Sequence, residues 1–296
     1  MKKFLFIGII LIIGFTLAFK NDLPETKVYD FDVDAEAMIL IDADSGKVIY
    51  EKNSNEALPI ASMSKMMTQY LVLNSVKNGM LTWESEYRPS EYMHQMTSES
   101  GVVRLGMSNN RTYTVDELFT AMTVSSANDA AIALAEMVSG SEEAFVELMN
   151  TQAKAFKLKK TIFYNASGLD GDYVGKSKQE TNLSTAKEVS IIAEKLLAKH
   201  PEVLDFTKIT NFTTTDGIEL WNTNSMLPGM PMAINQIDGL KTGFTDLAGP
   251  CFASTGVFDG RRVISVVMNV VADGNDRTNP KFQLTEDLIE QFVFKQ

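Results

Sequence analysis

A serine and a lysine stand three residues apart at the start of an apolar helical segment, "ASMSKMMTQYLVL". On a helix this spacing places Ser62 and Lys65 on the same face. The free N–H groups and positive dipole end of a helix start favour an anion that develops beside Ser62. A lysine acts as a base only when neutral, a form that burial or a nearby cation favours. The pair is either a nucleophile with its base, or a helix cap and a surface lysine.

A second polar group, Ser126 and Asn128 in "SSANDAA", falls between two predicted helices. A hydroxyl and an amide on a tight loop could relay a proton and hold a substrate amide. The alternative is that one of the two side chains caps the helix that begins near Asp129.

A third group lies in a predicted strand, "DGLKTGFT". A lysine within an apolar run costs free energy unless it has a partner, and Gly243 would let a ligand backbone approach closely. Lys241 and Thr242 could bind an anionic substrate terminus, and Lys241 could help to keep Lys65 neutral. The alternative is an edge-strand lysine that deters aggregation.

The elements that must position these groups follow from the pattern of apolar residues. Two β-rich runs around an Asp-Ser-Gly turn predict a hairpin within residues 37–53, and a long helical middle follows, with Thr185 and Glu188 as a capping box. The last third returns to strands, two of them joined by Asp259-Gly260. Strands at both ends and helices between them predict an α+β fold. We expect one antiparallel sheet of about five strands from both chain ends, flanked by helices, plus a helical lobe.

The composition excludes some classes of partner. The 296 residues are 45% hydrophobic and 22% charged, as in a globular protein. A net charge of −11 argues against nucleic acid or an anionic membrane surface as the main partner. His, Cys and carboxylates do not cluster at ligand spacing, so we expect no metal and no cofactor. Cys251 is the single cysteine, so no intrachain disulfide forms, and we expect it to be buried.

The first 20 residues resemble an export segment. Two lysines precede an uninterrupted apolar run, residues 4–19, that Lys20 closes. We expect residues 1–20 to be a signal peptide or an N-terminal anchor, 21–36 a linker, and 37–296 the catalytic domain. The expected location is the periplasm or another extracytoplasmic cell-wall space, and membrane contact is expected only through residues 4–19.

Taken in order, "SMSK", "SAN" and "KTG" resemble the three motifs of the serine penicillin-recognising enzymes. The stretches "ASMSKMMT", "SSANDAA", "NASGLD" and "DGLKTGFTDLAG" are similar to the D-alanyl-D-alanine carboxypeptidases among the low-molecular-mass penicillin-binding proteins. The similarity runs from about Ala37 to Val293. It implies the fold shared by serine β-lactamases and penicillin-binding proteins. It also implies removal of the terminal D-alanine of peptidoglycan stem peptides, with β-lactams as covalent inhibitors.

The resemblance also implies catalytic roles. Ser62 would attack the carbonyl between the two D-alanines while Lys65 takes its proton. Ser126 would pass a proton to the leaving D-alanine, assisted by Lys241, and Asn128 would hold the substrate amide. Water would then hydrolyse the acyl-enzyme.

Substrate-binding roles follow in the same way. The backbone N–H groups of Ser62 and Phe244 would form the oxyanion hole. Thr242 would bind the terminal carboxylate, with Arg277 as its charged partner. Many relatives have histidine where Phe244 stands, so we expect altered specificity rather than lost activity. Many relatives also continue into a β-rich C-terminal domain, which we do not expect here because the sequence stops at Gln296.

Other readings compete with the carboxypeptidase. A Ser-His-Asp hydrolase needs a histidine base, but His94 and His200 both look structural and no Gly-x-Ser-x-Gly elbow is present. A class A β-lactamase needs a glutamate that activates water, and Glu180 fits a solvated loop better. A peptidoglycan DD-endopeptidase and a non-catalytic β-lactam or peptidoglycan sensor remain as alternatives.

Overall fold

The structure, a computed structural model, describes residues 34–271 and 280–294. The predicted export segment at 1–20, most of the predicted linker, and Arg277 lie outside the described residues. The strands are β1 (Ala35–Asp42), β2 (Val48–Lys52), β3 (Leu58–Pro59), β4 (Glu86–Tyr87), β5 (Tyr113–Thr114), β6 (Leu183–Ser184), β7 (Asn211–Thr213), β8 (Glu219–Trp221), β9 (Ile237–Gly243), β10 (Cys251–Phe258) and β11 (Arg261–Val270). The helices are α1 (Lys65–Lys77), α2 (Glu91–Met96), α3 (Val115–Val124), α4 (Asn128–Ser139), α5 (Glu142–Ala155), α6 (Ala186–Lys199), α7 (Val203–Thr207) and α8 (Pro280–Ile289). Two 3₁₀ turns, η1 (Ala61–Ser64) and η2 (Gly171–Val174), and a π-helical turn, Glu290–Phe294, complete the described elements.

A five-stranded antiparallel sheet, in the order β2-β1-β11-β10-β9, joins the two ends of the described chain. Its central pairing places Ala35 opposite Val270. Asp259 and Gly260 have φ values of 49° and 77° and close the β10–β11 hairpin, as the Asp-Gly pair predicted. The predicted α+β architecture is confirmed. The linker boundary is wrong, because residues 35 and 36 already belong to β1.

Both faces of the sheet are buried against helices. Helix α6 packs on β1, β10 and β11, and Ile39 and Val266 join the main hydrophobic core there. Helix α8 packs on β10 and β11, where the rings of Phe282 and Phe252 meet edge to face at 5.1 Å. Burial on both faces explains why these strands are continuous apolar runs without a polar alternation.

Local capping signals define the helical lobe. The hydroxyls of Thr114, Ser141 and Thr185 each accept a hydrogen bond from the backbone N–H three residues on, at 3.0–3.2 Å. The reciprocal half of the predicted capping box is wrong. The Glu188 carboxylate accepts instead from the backbone N–H groups of Lys159 and Lys160 and binds them to α6. No helix among the described residues is long and apolar enough to cross a membrane.

Candidate active site

Ser62 lies in the tight turn η1, directly before α1. Ala61, the residue before it, has φ 45°, in the left-handed region that alanine rarely adopts. The turn is held by the Ser64 hydroxyl, which donates to the Ala61 carbonyl at 2.8 Å and accepts from Asn182 Nδ2 at 2.9 Å. No side chain caps η1 or α1, so the interpretation of Ser62 as a helix cap is wrong.

The Lys65 amine has three close neighbours. Nζ lies 2.9 Å from Ser62 Oγ, 2.8 Å from Asn128 Oδ1 and 2.6 Å from the carbonyl oxygen of Ser167. A neutral amine has two hydrogens and one lone pair. Asn128 Oδ1 and the Ser167 carbonyl oxygen can only accept a hydrogen bond, whereas the Ser62 hydroxyl can also donate one. The two hydrogens of a neutral Lys65 therefore go to Asn128 and Ser167, and its lone pair faces the Ser62 hydroxyl.

Burial favours the neutral form of Lys65. The residue is 0% exposed, so the alternative of a surface lysine is wrong. Burial lowers the pKa of Lys65 well below its usual value, and the charge of Lys241 lowers it further, as predicted. Asp129 acts in the opposite direction, but its carboxylate is engaged by the backbone N–H groups of Leu105 and Gly106 at 2.8 and 2.9 Å.

Ser126 lies in the turn between α3 and α4, and Asn128 is the first residue of α4. Ser126 has φ 66°, and Asn128 donates from Nδ2 to the Val103 carbonyl at 3.0 Å. That bond orients the amide so that Oδ1 faces Lys65. The N-cap of α4 is Ala127, and no side chain caps the helix, so the capping alternative is wrong for both residues.

The third motif lies on β9, at one edge of the sheet. Lys241 is buried, which rules out the exposed edge-strand lysine, and burial together with the charge of Lys281 lowers its pKa to about 7. The Thr242 hydroxyl donates to Thr223 Oγ1 at 2.6 Å. Phe244, the next residue after the strand, is 42% exposed.

Gly243 brings β9 against the turn that carries Ser62. A Cβ there would lie 3.0 Å from the Ile60 carbonyl oxygen and 3.3 Å from Ala61 Cβ. The sequence predicted glycine here for close approach of a ligand backbone. The close neighbour in the structure is the η1 turn itself.

The sequence assigned no role to the loop "NASGLD", which supplies the Ser167 carbonyl. Gly168 has φ +86°, and a Cβ there would overlap the Ala61 carbonyl and lie 2.9 Å from Ser62 N. Asn182, also missed, donates to the Asn165 carbonyl at 2.9 Å as well as to Ser64. The φ requirement of Gly168 is the one signal that a sequence could carry. A backbone carbonyl has no signature in residue type.

Thr223 is the other missed neighbour of the motifs. Its backbone N–H donates to the Val124 carbonyl at the end of α3, at 3.1 Å, while its hydroxyl accepts from Thr242. It therefore ties the chain just before the second motif to the third motif. Nothing in its residue type or spacing distinguishes it from other threonines.

The residues that a Ser-His-Asp hydrolase or a class A β-lactamase would need are bonded to other parts of the protein. His94 lies in α2 and bonds Asn109 Oδ1 at 2.8 Å. His200 is buried between Asn74 and Glu202. Glu180 accepts from the backbone N–H of Ser177, at 3.0 Å, in the segment 175–180. Across residues 34–271 and 280–294, no group of three or more His, Cys, Asp or Glu could hold a metal ion.

Cys251 is buried, as predicted. Its Sγ donates to the Ala248 carbonyl at 3.5 Å, and burial raises the pKa of the thiol to about 11. A thiol with so high a pKa remains protonated and unreactive near neutral pH.

Solved structures with the same fold are penicillin-binding proteins. PBP3 of Streptococcus pneumoniae, titled a peptidoglycan synthesis regulatory factor, is 38% identical with a TM-score of 0.83, over 89% of this chain and 72% of that one. Penicillin-Binding Protein D2 of Listeria monocytogenes, in its cefotaxime-bound form, is 36% identical with a TM-score of 0.76, over 89% of this chain and 98% of that one. The fold and the three motifs thus define a serine penicillin-binding protein.

The family follows from the sequence match. The sequence model of the D-alanyl-D-alanine carboxypeptidase family matches residues 24–272, and the chain belongs to that family. It is 35% identical to D-alanyl-D-alanine carboxypeptidase DacF of Bacillus subtilis over 89% of this chain, and 33% identical to DacA of Escherichia coli over 80%. The chain spans 64% and 56% of the length of these two relatives.

Proposed function

We propose that the protein is a serine-type D-Ala-D-Ala carboxypeptidase that removes the terminal D-alanine of peptidoglycan stem peptides through an acyl-enzyme on Ser62. The observation that carries this proposal is the Lys65 amine, whose hydrogen-bond acceptors leave its lone pair facing Ser62 Oγ. Family membership supports the substrate class. The cefotaxime-bound relative supports inhibition by β-lactams.

Acylation begins when Ser62 Oγ attacks the carbonyl carbon between the two D-alanines. Lys65 takes the hydroxyl proton, and the backbone N–H groups of Ser62 and Phe244 stabilise the oxyanion of the tetrahedral intermediate. Collapse of the intermediate breaks the C–N bond, and Ser126 delivers a proton to the departing D-alanine amine while Lys65 restores it. Water then hydrolyses the ester, which returns Ser62 and releases the shortened stem peptide.

Binding is assigned to the residues around this centre. Asn128 holds the substrate amide, and Lys241 with Thr242 binds the terminal carboxylate. The Thr242 hydroxyl donates its one hydrogen to Thr223 Oγ1, so binding a carboxylate requires this hydrogen to turn from Thr223 to the carboxylate oxygen. Phe244 sets specificity through its exposed ring. Arg277 remains a prediction as the charged partner of the carboxylate.

A DD-endopeptidase is the second candidate function. The chain is 28% identical to the D-alanyl-D-alanine endopeptidase of Escherichia coli, over 80% of this chain and 72% of that relative. The chemistry on Ser62 is the same, and the difference lies in whether the leaving group is free D-alanine or a crosslinked stem. An extracytoplasmic location fits either activity, with residues 1–20 as its signal or anchor.

The test is D-alanine release from diacetyl-Lys-D-Ala-D-Ala by the purified protein. We expect release by the parent and none by Ser62→Ala. Lys65→Arg replaces the neutral amine with a permanent cation that cannot accept a proton, and we expect it to lower acylation by about 10²- to 10⁴-fold.

The competing outcomes are distinct. A parent protein that takes up labelled penicillin but releases no D-alanine would contradict the carboxypeptidase. Cleavage of a crosslinked stem dimer by that protein would then identify an endopeptidase. Penicillin uptake without turnover of either peptide would identify a sensor.

A further inference from the structure

The Ser167 carbonyl decides where one Lys65 hydrogen points. Of the two oxygens that take hydrogens from a neutral Lys65, Asn128 Oδ1 belongs to the second motif, and the other belongs to the backbone. A backbone carbonyl has no freedom of its own, since its direction is that of the peptide plane. The direction of the Lys65 lone pair therefore depends on whatever holds residues 165–168.

Side chains from several elements hold this loop. Asn165 Oδ1 accepts from the Gly168 N–H at 2.6 Å, and Thr68 Oγ1, one turn after Lys65 on α1, donates to the Ala166 carbonyl at 2.8 Å. Asn182 bonds both the N–H and the carbonyl of Asn165. Glu142, on α5, accepts from the Ala166 N–H through Oε1 at 2.9 Å. Glu142 and Asn182 are thus anchors from outside the loop and α1, and Glu142 is the one that binds Ala166.

Glu142 is an unusual residue for its place. It is the first residue of α5 and only 3% exposed, while its neighbour Glu143 is exposed. Its second oxygen, Oε2, accepts from the Tyr92 hydroxyl of α2 at 2.6 Å. Burial raises the pKa of Glu142, so placing a carboxylate here costs free energy that an apolar residue would not. An apolar residue, however, could not accept from the Ala166 N–H.

We propose that Glu142 is a positioning residue for the base. By holding the Ala166 N–H while Tyr92 holds the other carboxylate oxygen, Glu142 fixes the 165–166 peptide, where the turn 165–168 begins. Within that turn Asn165 Oδ1 holds the Gly168 N–H, which belongs to the same peptide as the Ser167 carbonyl, so the position of this carbonyl beside Lys65 depends on where Glu142 places the start of the turn. The inference rests on the proposed function, because it concerns the rate at which Ser62 is acylated. The length of the side chain matters to this role, and its charge does not.

Two conservative substitutions separate length from charge. Glu142→Gln keeps the length, so its Oε1 still accepts from Ala166 N–H and its amide donates to the Tyr92 oxygen. Glu142→Asp keeps the charge at the helix start but is one methylene shorter and cannot span Tyr92 and Ala166. Glu143→Asp and Glu143→Gln are the matched controls, since they make the same changes one residue on, in an exposed side chain of the same helical turn.

The experiment is stopped-flow acylation by a fluorescent penicillin, which separates the acylation rate constant from the dissociation constant of the non-covalent complex. We expect Glu142→Asp to lower the rate constant by roughly 10- to 100-fold, because a displacement of about 1 Å in a catalytic group has effects of this size. Its dissociation constant should stay within about threefold of the parent value. Glu142→Gln should keep the rate constant within about threefold, and both Glu143 variants should match the parent.

Three results would overturn the inference. One is a Glu142→Asp variant that acylates within twofold of the parent. Another is a Glu142→Gln variant that falls as far as Glu142→Asp, since charge would then be what matters. The third is a loss confined to the dissociation constant. A parent that takes up no penicillin at all would instead overturn the proposed function, and this inference with it.

Discussion

Two buried lysines dominate the chemistry at the scale of single residues. Lys65 and Lys241 lie in the same site, and burial disfavours the charged form of each. The positive charge that Lys241 retains part of the time also disfavours a charge on Lys65. The burial of both lysines and their closeness therefore favour the neutral form of Lys65, the form that the proposed role as base requires.

The low pKa of Lys241 makes stability depend on pH. The pKa is about 7 in the folded protein and near 10.4 in the unfolded chain, so between these values the unfolded chain binds more protons. The free energy of unfolding therefore rises with pH in this window, by at most ~1.4 kcal/mol per pH unit. Below about pH 7 both states bind the proton, and the destabilisation is constant.

We expect Lys241→Met to be more stable than the parent at pH 7, with a difference that shrinks as the pH approaches 10. Urea unfolding at pH 7, 8, 9 and 10 measures it. Lys208→Met, at an exposed position beside Asp205, is the control and should show a difference from the parent that does not change over this range. If the stability difference between Lys241→Met and the parent is also independent of pH, the pKa of Lys241 is not lowered in the folded protein.

Contact between elements, rather than secondary structure itself, builds the catalytic centre. The turn η1 is enclosed by the loop at 165–168 on one side and by β9 on the other, and in both places a glycine allows the approach. The left-handed φ of Ala61 persists because these neighbours leave the turn no other conformation.

Gly168→Ala tests this enclosure. The new Cβ would overlap the Ala61 carbonyl, so the turn of Ser62 must shift, and we expect acylation to fall by about 10²-fold or more. Gly175→Ala is the control, because Gly175 has φ +67° and no atom would lie within 4 Å of its Cβ. Both variants carry backbone strain of about 1–2 kcal/mol. If both acylate equally in the penicillin assay, contact with the η1 turn is not what Gly168 provides.

The parts predictable from sequence are those with local causes. The N-cap at Thr185 and the turn at Asp259-Gly260 depend on a few neighbouring residues, and both were predicted. The three motifs carry residue types that the chemistry requires. The bond from Lys65 to the Ser167 carbonyl joins residues 102 apart in the chain, and its acceptor is backbone. Such contacts follow from packing, which a single sequence does not display.

At the scale of the whole molecule, β1 pairs with one strand that is near it in the sequence and with another that is far from it. It forms a hairpin with β2 on one side and pairs with β11 on the other. The sequence predicted a catalytic domain from residue 37, whereas pairing begins at Ala35, and the Val271 N–H donates to the Asp34 carbonyl at 2.8 Å. An acidic, weakly patterned segment and the first residues of a strand look alike in sequence until the partner strand is known.

A protein that begins at residue 37 should be less stable than one that begins at residue 34. It loses the pairing of Ala35 and the bond to Asp34, a loss of about 2 kcal/mol at roughly 1 kcal/mol for each hydrogen bond. That corresponds to a fall in Tm of roughly 5 °C for a domain of this size. Because β11 and β10 separate β1 from β9, penicillin acylation at 25 °C should be unchanged. Equal Tm values for the two proteins would show that the added pairs contribute nothing.

The pairing of β1 with β11 also bears on when activity can appear during synthesis. On a ribosome, β1 (Ala35–Asp42) emerges early, whereas β9 (Ile237–Gly243) and β11 (Arg261–Val270) emerge near the end of synthesis. Ser62 and Lys65 are thus made long before Lys241 and the strand that lies against their turn. A chain still on the ribosome carries the proposed nucleophile without its surroundings, so we expect the proposed hydrolysis to begin only when the last strands join the sheet.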